Sequence, residues 1–230
     1  MLAVRQTFHE ELAVLDQQIV QMGTITVKMV VDAVSALQEC DIVLAEEVIN
    51  TDDVVDALDL DIETRCMNLL ALQQPVGRDL RKIGTALKVI TDLERIGDHA
   101  VDISKIGRKF AQEYLTTPPM IDIGRLSSMA EGMVRDSLQA LVGHDIELAR
   151  QICADDDAVD DEFKALREQL FDLTRTHTEM MPQASYLLLA VVYLERIADH
   201  ATNIAERVHY VETGHLEQLS RVHRLAGAHG

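Results

Sequence analysis

Four pairs of carboxylates stand four residues apart in this chain: Asp52/Asp56, Glu94/Asp98, Asp156/Asp160 and Glu195/Asp199. That spacing puts both members of a pair on one face of a helix, roughly 6 Å apart at Cβ. Like charges so placed repel by a few tenths of a kcal/mol, so a pattern that recurs four times invites a compensating partner. Clusters of carboxylate oxygens take up hard or borderline cations, and metal binding is the chemistry these pairs suggest. The plainer reading is a solvated acidic face bridged by Arg95 and Arg196.

Further candidates extend each line. Asp102 follows Asp98 by about one turn, and Asn203 follows Asp199. Glu206 and His209 continue in the second half where Lys105 and Arg108 stand in the first, which makes the second set the richer in ligands. His99 and His200 directly follow Asp98 and Asp199. They lie off the face of the preceding Glu, and packing or hydrogen bonding is the expected role. A ferritin-like di-iron site needs Glu-x-x-His on two helices. The matches here, Glu206/His209 and Glu212/His215, both fall in the last helical region. No nucleophile elbow, phosphate-binding loop or dinucleotide fingerprint is present.

The elements that must position these groups are helices. Among 230 residues there are 11 Gly, 4 Pro and no Trp, too few turn formers for a sandwich, barrel or propeller. Apolar residues from Phe8 through Leu15, Ile19, Met22 and Met29 to Leu37 recur every three or four positions, one face of a long helix. Gln38–Asp41 is the expected turn, with Asp41 as N-cap. A second helix is expected to about Leu72, a break at Gln73–Gly77, and a third helix from Arg78 to Tyr114. Thr116-Thr117-Pro118-Pro119 reads as a linker. Three more helices follow, about 123–141, 146–176 and 183–212, with Gly214 as a left-handed stop.

The second half repeats the first. Leu93-Glu94-Arg95-Ile96-Gly97-Asp98-His99-Ala100-Val101-Asp102-Ile103-Ser104 returns from Leu194 to Ala205 with eight of twelve positions identical. Asp52-Asp53-Val54-Val55-Asp56 returns as Asp156-Asp157-Ala158-Val159-Asp160. The expected fold is therefore all-α: two homologous three-helix bundles packed side by side. Their expected bounds are 1–115 and 122–214, with a linker at 116–121 and a tail at 215–230 in which a short helix is expected before the chain frays. If the second and third helices form a hairpin about Pro75, Asp56 lies 19 residues before it and Glu94 19 after. At equal rise they are level, as are Asp52 and Asp98 one turn on. Asp160 and Glu195 are symmetric about a point between His177 and Thr178, near the expected break at Glu179-Met180-Met181-Pro182. Four carboxylates per unit converge if these faces meet.

Charge and cysteine usage narrow the partners. With 21 Lys and Arg against 39 Asp and Glu the net charge is −18, which repels nucleic acid and anionic lipid and attracts cations and basic proteins. Three Cys without a CxxC fit a reducing compartment and helix packing. No uninterrupted apolar run of about 18 residues and no signal-peptide core is seen, so a cytoplasmic protein without direct membrane insertion is expected.

The doubled Leu-Glu-Arg-Ile-(Gly/Ala)-Asp-His-Ala is similar to the signature of the PhoU family, regulators of phosphate-transport systems. So are Gln74-Pro75-Val76-Gly77-Arg78-Asp79-Leu80-Arg81 and the opening Phe8-His9-Glu10-Glu11-Leu12 with Met22-Gly23. The resemblance runs from about Phe8 to Glu212. It implies two three-helix bundles, often dimeric, that bind multinuclear iron or zinc clusters, or other divalent ions such as Mg, Mn, Ca or Ni. The ligand motif would fall on Glu94, Asp98, Glu195 and Asp199, with Asp52, Asp56, Asp156 and Asp160 beside them. It further implies a non-enzymatic negative regulator, bridging the ATPase subunit of a phosphate ABC transporter and a membrane sensor histidine kinase, and recruited peripherally to them. The units differ at Asp102 and Asn203, so if that position ligates, the two sites differ too. A metal-dependent hydrolase or oxidase using the carboxylates is the alternative.

Overall fold

The computed structural model describes residues 2–114, 121–217 and 219. Among them are six long helices: α1 (Leu2–Glu39), α2 (Ile42–Gln73), α3 (Arg78–Tyr114), α4 (Gly124–Gly143), α5 (Ile146–Thr176) and α6 (Met181–Thr213). Each unit opens its second helix with the same device. Asp41 accepts from the backbone N–H of Val43 and Leu44 at 2.9 and 3.0 Å, and Asp145 accepts from Leu148 at 3.0 Å. These carboxylates satisfy N–H groups that a helix start leaves unpaired. Cys40, Gln74 and His144 turn the corners with φ of 54, 47 and 54°, and Gly214 ends α6 at φ 78°. Residues 178–180 form a single 3-10 turn, and α6 starts at Met181, so Pro182 lies in its first turn rather than in the break. A proline there gives up an N–H that has no intrahelical partner.

Helices α1, α2 and α3 pack as one bundle and α4, α5 and α6 as the other, with α3 against α6 and α1 against α4 joining them. The periodic apolar residues fill the interior: Leu15, Met22, Met29 and Leu37 of α1, Val55 and Ile62 of α2, and Leu93, Ile96 and Ile103 of α3 are all buried. Leu126, Val159, Leu194, Ile197 and Ile204 do the same in the second unit. Two glycines mark close approaches. A Cβ on Gly107 would stand 3.0 Å from the Leu37 backbone, and one on Gly23 would meet Leu138 at 2.5 Å. At the end of the seam Arg81 donates from Nε and NH2 to the Val211 carbonyl (3.1 and 3.0 Å), and Arg78 pairs with Glu212 at 2.6 Å.

Part of α1, within Phe8–Glu39, is long and apolar enough to cross a membrane, with a mean hydropathy of 1.3. Half of that stretch is buried in the bundle, as befits a core helix. Most of the expected linker and of the tail beyond residue 217, including the short helix expected there, lies outside the described residues.

Candidate functional site

The α2 and α3 carboxylates meet in the register that the hairpin spacing requires. Asp52 is partly buried, and its carboxyl is raised first by burial, then by Asp56 on its own helix and Asp98 across the groove. Lys105 pulls it back. Glu94 is raised by burial and by Asp98, opposed by Arg95, and raised further by Asp59 and Asp56 of α2. Gly97 lets the helices close here: a Cβ on it would sit 3.6 Å from Val55 and 3.8 Å from Asp52 Oδ1.

The second unit repeats the arrangement between α5 and α6. Burial raises the Glu195 carboxyl, Asp199 and Asp160 add to it, Arg196 opposes, and Asp156 contributes again. Asp156 is only 5% exposed, and the Thr202 hydroxyl lies 3.4 Å from its Oδ1 and 3.1 Å from the Ala198 carbonyl. Each face thus holds carboxylates whose mutual repulsion is incompletely relieved, a donor set suited to hard or borderline cations. The side chains do not stand preassembled. Among the described residues no three His, Cys, Asp or Glu are gathered closely enough to hold an ion. Arg95 draws Glu94 (3.3 Å) and Asp98 (2.9 Å) onto itself, the salt-bridged arrangement that the sequence allowed.

Asp102 and Asn203 lie at the edge of these faces, where Asp102 pairs with Lys105 at 3.5 Å. Eight residues beyond the Glu, a helical position is turned by roughly 80° from it. Both reach the other bundle: Asp102 accepts from the Tyr193 hydroxyl of α6, and the exposed Asn203 donates from Nδ2 to Asp92 of α3 at 3.3 Å. His99 and His200 stand in the seam between the bundles. His200 Nδ1 is 2.9 Å from Asp92, and the His99 ring stacks on Tyr193 at 5.4 Å and lies 5.7 Å from the His200 ring. Burial, with His200 and Arg196 nearby, lowers the His99 pKa to about 4, so at neutral pH it is an uncharged packing group.

Farther along the faces the units diverge. In the first, Lys105 faces Asp52, and Arg108 reaches Glu46 of α2 at 2.7 Å. In the second, Glu206 and Asp156 both act on Cys153 of α5, and His209 is buried with no partner for Nδ1 among the described residues. Asp59 escaped the sequence reading. It is partly buried, and its carboxyl is raised by burial, Glu63 and Asp56. Its counterpart in the repeat is Phe163, so a search for repeated pairs passes over it. Position three after Asp56 was the available signal. The thiols of Cys66 and Cys153 are buried and pushed up to about 12, which leaves them inert as nucleophiles.

The fold and its two faces define a class: a tandem pair of three-helix bundles, each with an acidic groove between its last two helices. A family model described as the PhoU domain matches residues 19–107 and 123–208, one match per bundle. This chain belongs to the PhoU family. It is 35% identical over 211 residues to a Clostridium acetobutylicum protein named phosphate-specific transport system accessory protein PhoU homolog, covering 91% of this chain and 96% of that one. The crystal structure of PhoU from Pseudomonas aeruginosa aligns with a TM-score of 0.86 and 32% identity, over 90% of this chain and all of the other. The phosphate transport system regulatory protein PhoU from Streptococcus pneumoniae gives 0.83 and 31%, over 91% and 99%.

Proposed function

We propose that this chain is a regulatory accessory protein of a phosphate-specific transport system, a cytoplasmic helical adaptor rather than an enzyme. One observation carries this: the match to relatives so named spans about nine-tenths of both chains, so the whole accessory body is present and not a borrowed module. Its partners would be the ATPase subunit of the transporter and the membrane sensor histidine kinase, to which it is recruited from the cytoplasm, as a homodimer, to restrain uptake when phosphate is plentiful. A chain of net charge −18 engages basic segments of such partners, and that attraction weakens with salt.

The acidic grooves would hold divalent or trivalent cations, with iron or zinc favoured by the family resemblance. Glu94, Asp98, Asp52 and Asp56 would serve one groove, and Glu195, Asp199, Asp156 and Asp160 the other. A bound cation supplies the positive charge that these opposed carboxylates lack. It would tie the second helix of each bundle to the third and stabilise the fold by mass action. The deciding experiment uses tagged ATPase subunit and kinase cytoplasmic domain in pull-downs at 50 and 500 mM salt. Retention at low salt and loss at high salt supports the adaptor. No retention of either partner at low salt, with the protein folded and metal-loaded, overturns it.

A further inference from the structure

Helix α2 packs on α1 and α3 through one row of side chains: Val48, Val55, Ile62, Cys66 and Leu69 are all buried. The row on the opposite side of the helix is Ala57, Leu60, Thr64, Met67 and Ala71. All five are exposed, Leu60 at 65% and Met67 at 56%. Leu72, 76% exposed, widens the row at one end. The alternating spacing of three and four is that of a helix seam built to receive another helix. From Ala57 to Leu72 the row runs about 22 Å, roughly four turns. A helix without charge on either of two opposite faces is normally covered on both.

The repeat shows that the bundle itself does not require this row. Positions of α2 reappear in α5 104 residues later, as Asp52 does in Asp156, so the equivalent row is Asp161, Lys164, Glu168, Phe171 and Arg175. That row is solvated: Lys164 pairs with Asp161 at 3.2 Å, and Arg175 with Asp172 at 3.0 Å. The same place in the same fold is charged in one unit and uncharged in the other. An exposed apolar patch that folding does not need marks an interaction surface.

The flanks of the row select the occupant. Asp56 and Glu63 border it on one side and Asp61 on the other, and Asp53 closes one end. Helix α2 carries eight acidic residues and a single basic one, Arg65, which Gln18 and Glu11 already engage. A second copy of the chain would set acid against acid along the seam, whereas Lys and Arg in a partner's flanking positions would meet these carboxylates. Beside the row, between α2 and α1, lies a groove of about 490 Å³ lined by Leu69 and Leu72 and rimmed by Glu11 and Asp61. It has room for one large anchoring side chain. We infer that the outer face of α2 is a docking seam for an amphipathic helix of about four turns, its apolar row flanked by Lys and Arg, supplied by a protein partner. The inference rests on the adaptor reading above for the source of that helix, and its test separates the two.

The probe is a fluorescein-labelled four-turn helical peptide with Leu along its seam and Lys on the flanks, titrated onto the full-length protein. Two control peptides carry Glu on the flanks or the same residues scrambled. Wild type is expected to bind the Lys-flanked helix at least about tenfold more tightly than either control. Leu60→Glu/Met67→Glu is expected to weaken that binding about tenfold or more. It makes the chain more acidic, so the loss reads the apolar row and not bulk attraction. Leu60→Gln/Met67→Gln repeats the test without added charge, should the glutamates unsettle the fold. Asp61→Asn/Glu63→Gln is expected to weaken binding and flatten its salt dependence, and Phe171→Glu on α5 to change nothing. The second arm repeats the pull-down of ATPase subunit and kinase cytoplasmic domain with these variants. Retention by wild type and loss by Leu60→Gln/Met67→Gln supports the inference. Equal retention by both overturns it and keeps the adaptor. Retention by neither overturns the adaptor, and the peptide result then decides the seam alone. Peptide binding that Leu60→Gln/Met67→Gln leaves unchanged, or that the scrambled peptide matches, overturns the inference. A wild-type dimer that Leu60→Gln/Met67→Gln renders monomeric makes a second copy the occupant and overturns the choice of a basic helix.

Discussion

At the scale of single residues the decisive quantity is unrelieved repulsion. Glu195 is raised by burial and by Asp199 and Asp160, so its charged form is disfavoured in the fold. A group whose folded pKa is raised destabilises the protein above that pKa, and the penalty lifts as pH falls through it. Glu195→Gln in chelator is therefore expected to raise the melting temperature at pH 7 by about 1–3 °C. The gain should close as the solution is acidified through the raised carboxylate range, and thermal melts against pH check it. Under the cation-binding proposal the same substitution is expected to reverse sign with cations present, because it removes a proposed ligand. The sequence made the paired carboxylates legible, since spacing and repetition alone put them on facing helices. It missed Asp59 because the repeat has Phe163 there, and it could not show that Asp102 and Asn203, turned roughly 80° from Glu94 and Glu195, make contacts across to the other bundle.

Helices were the most legible level. Asp41 is an N-cap as its sequence position indicates, Asp145 repeats the cap from within the expected turn, and the three-to-four-residue apolar period marks the buried stripe of each helix. Pro182 was harder to place, because proline signals a break and a helix start with equal force. Helix crossings could not be read, since a glycine in sequence does not announce what approaches it. Gly107→Ala is expected to cost about 1–3 kcal/mol, because the new methyl meets the Leu37 backbone at 3.0 Å. Gly84→Ala, on the same helix with nothing within 4 Å, is expected to stabilise by about 0.5–1 kcal/mol. Urea unfolding of the two variants gives opposite shifts if α3 crosses α1 as described. Asp41→Ala is expected to cost about 1 kcal/mol, read in the same way.

For the whole molecule the seam matters most. Helices α3 and α6, α1 and α4, and the contacts of His99, His200, Asp92 and Tyr193 join the bundles along their length. Scanning calorimetry is expected to show one transition with equal calorimetric and van't Hoff enthalpies, and two resolved transitions would contradict the shared core. The latch of Arg81 on the Val211 carbonyl spans 130 positions of the chain. A ribosome adding about 5–20 residues per second needs roughly 7–26 s between the two. The first bundle is complete only at Tyr114, so for about 97 further residues, roughly 5–19 s, it stands with its guanidinium unclaimed and its α6-facing side bare. The nascent first half thus presents that side to its surroundings until α6 is made, and a message truncated before α6 begins at Met181 leaves it so for good.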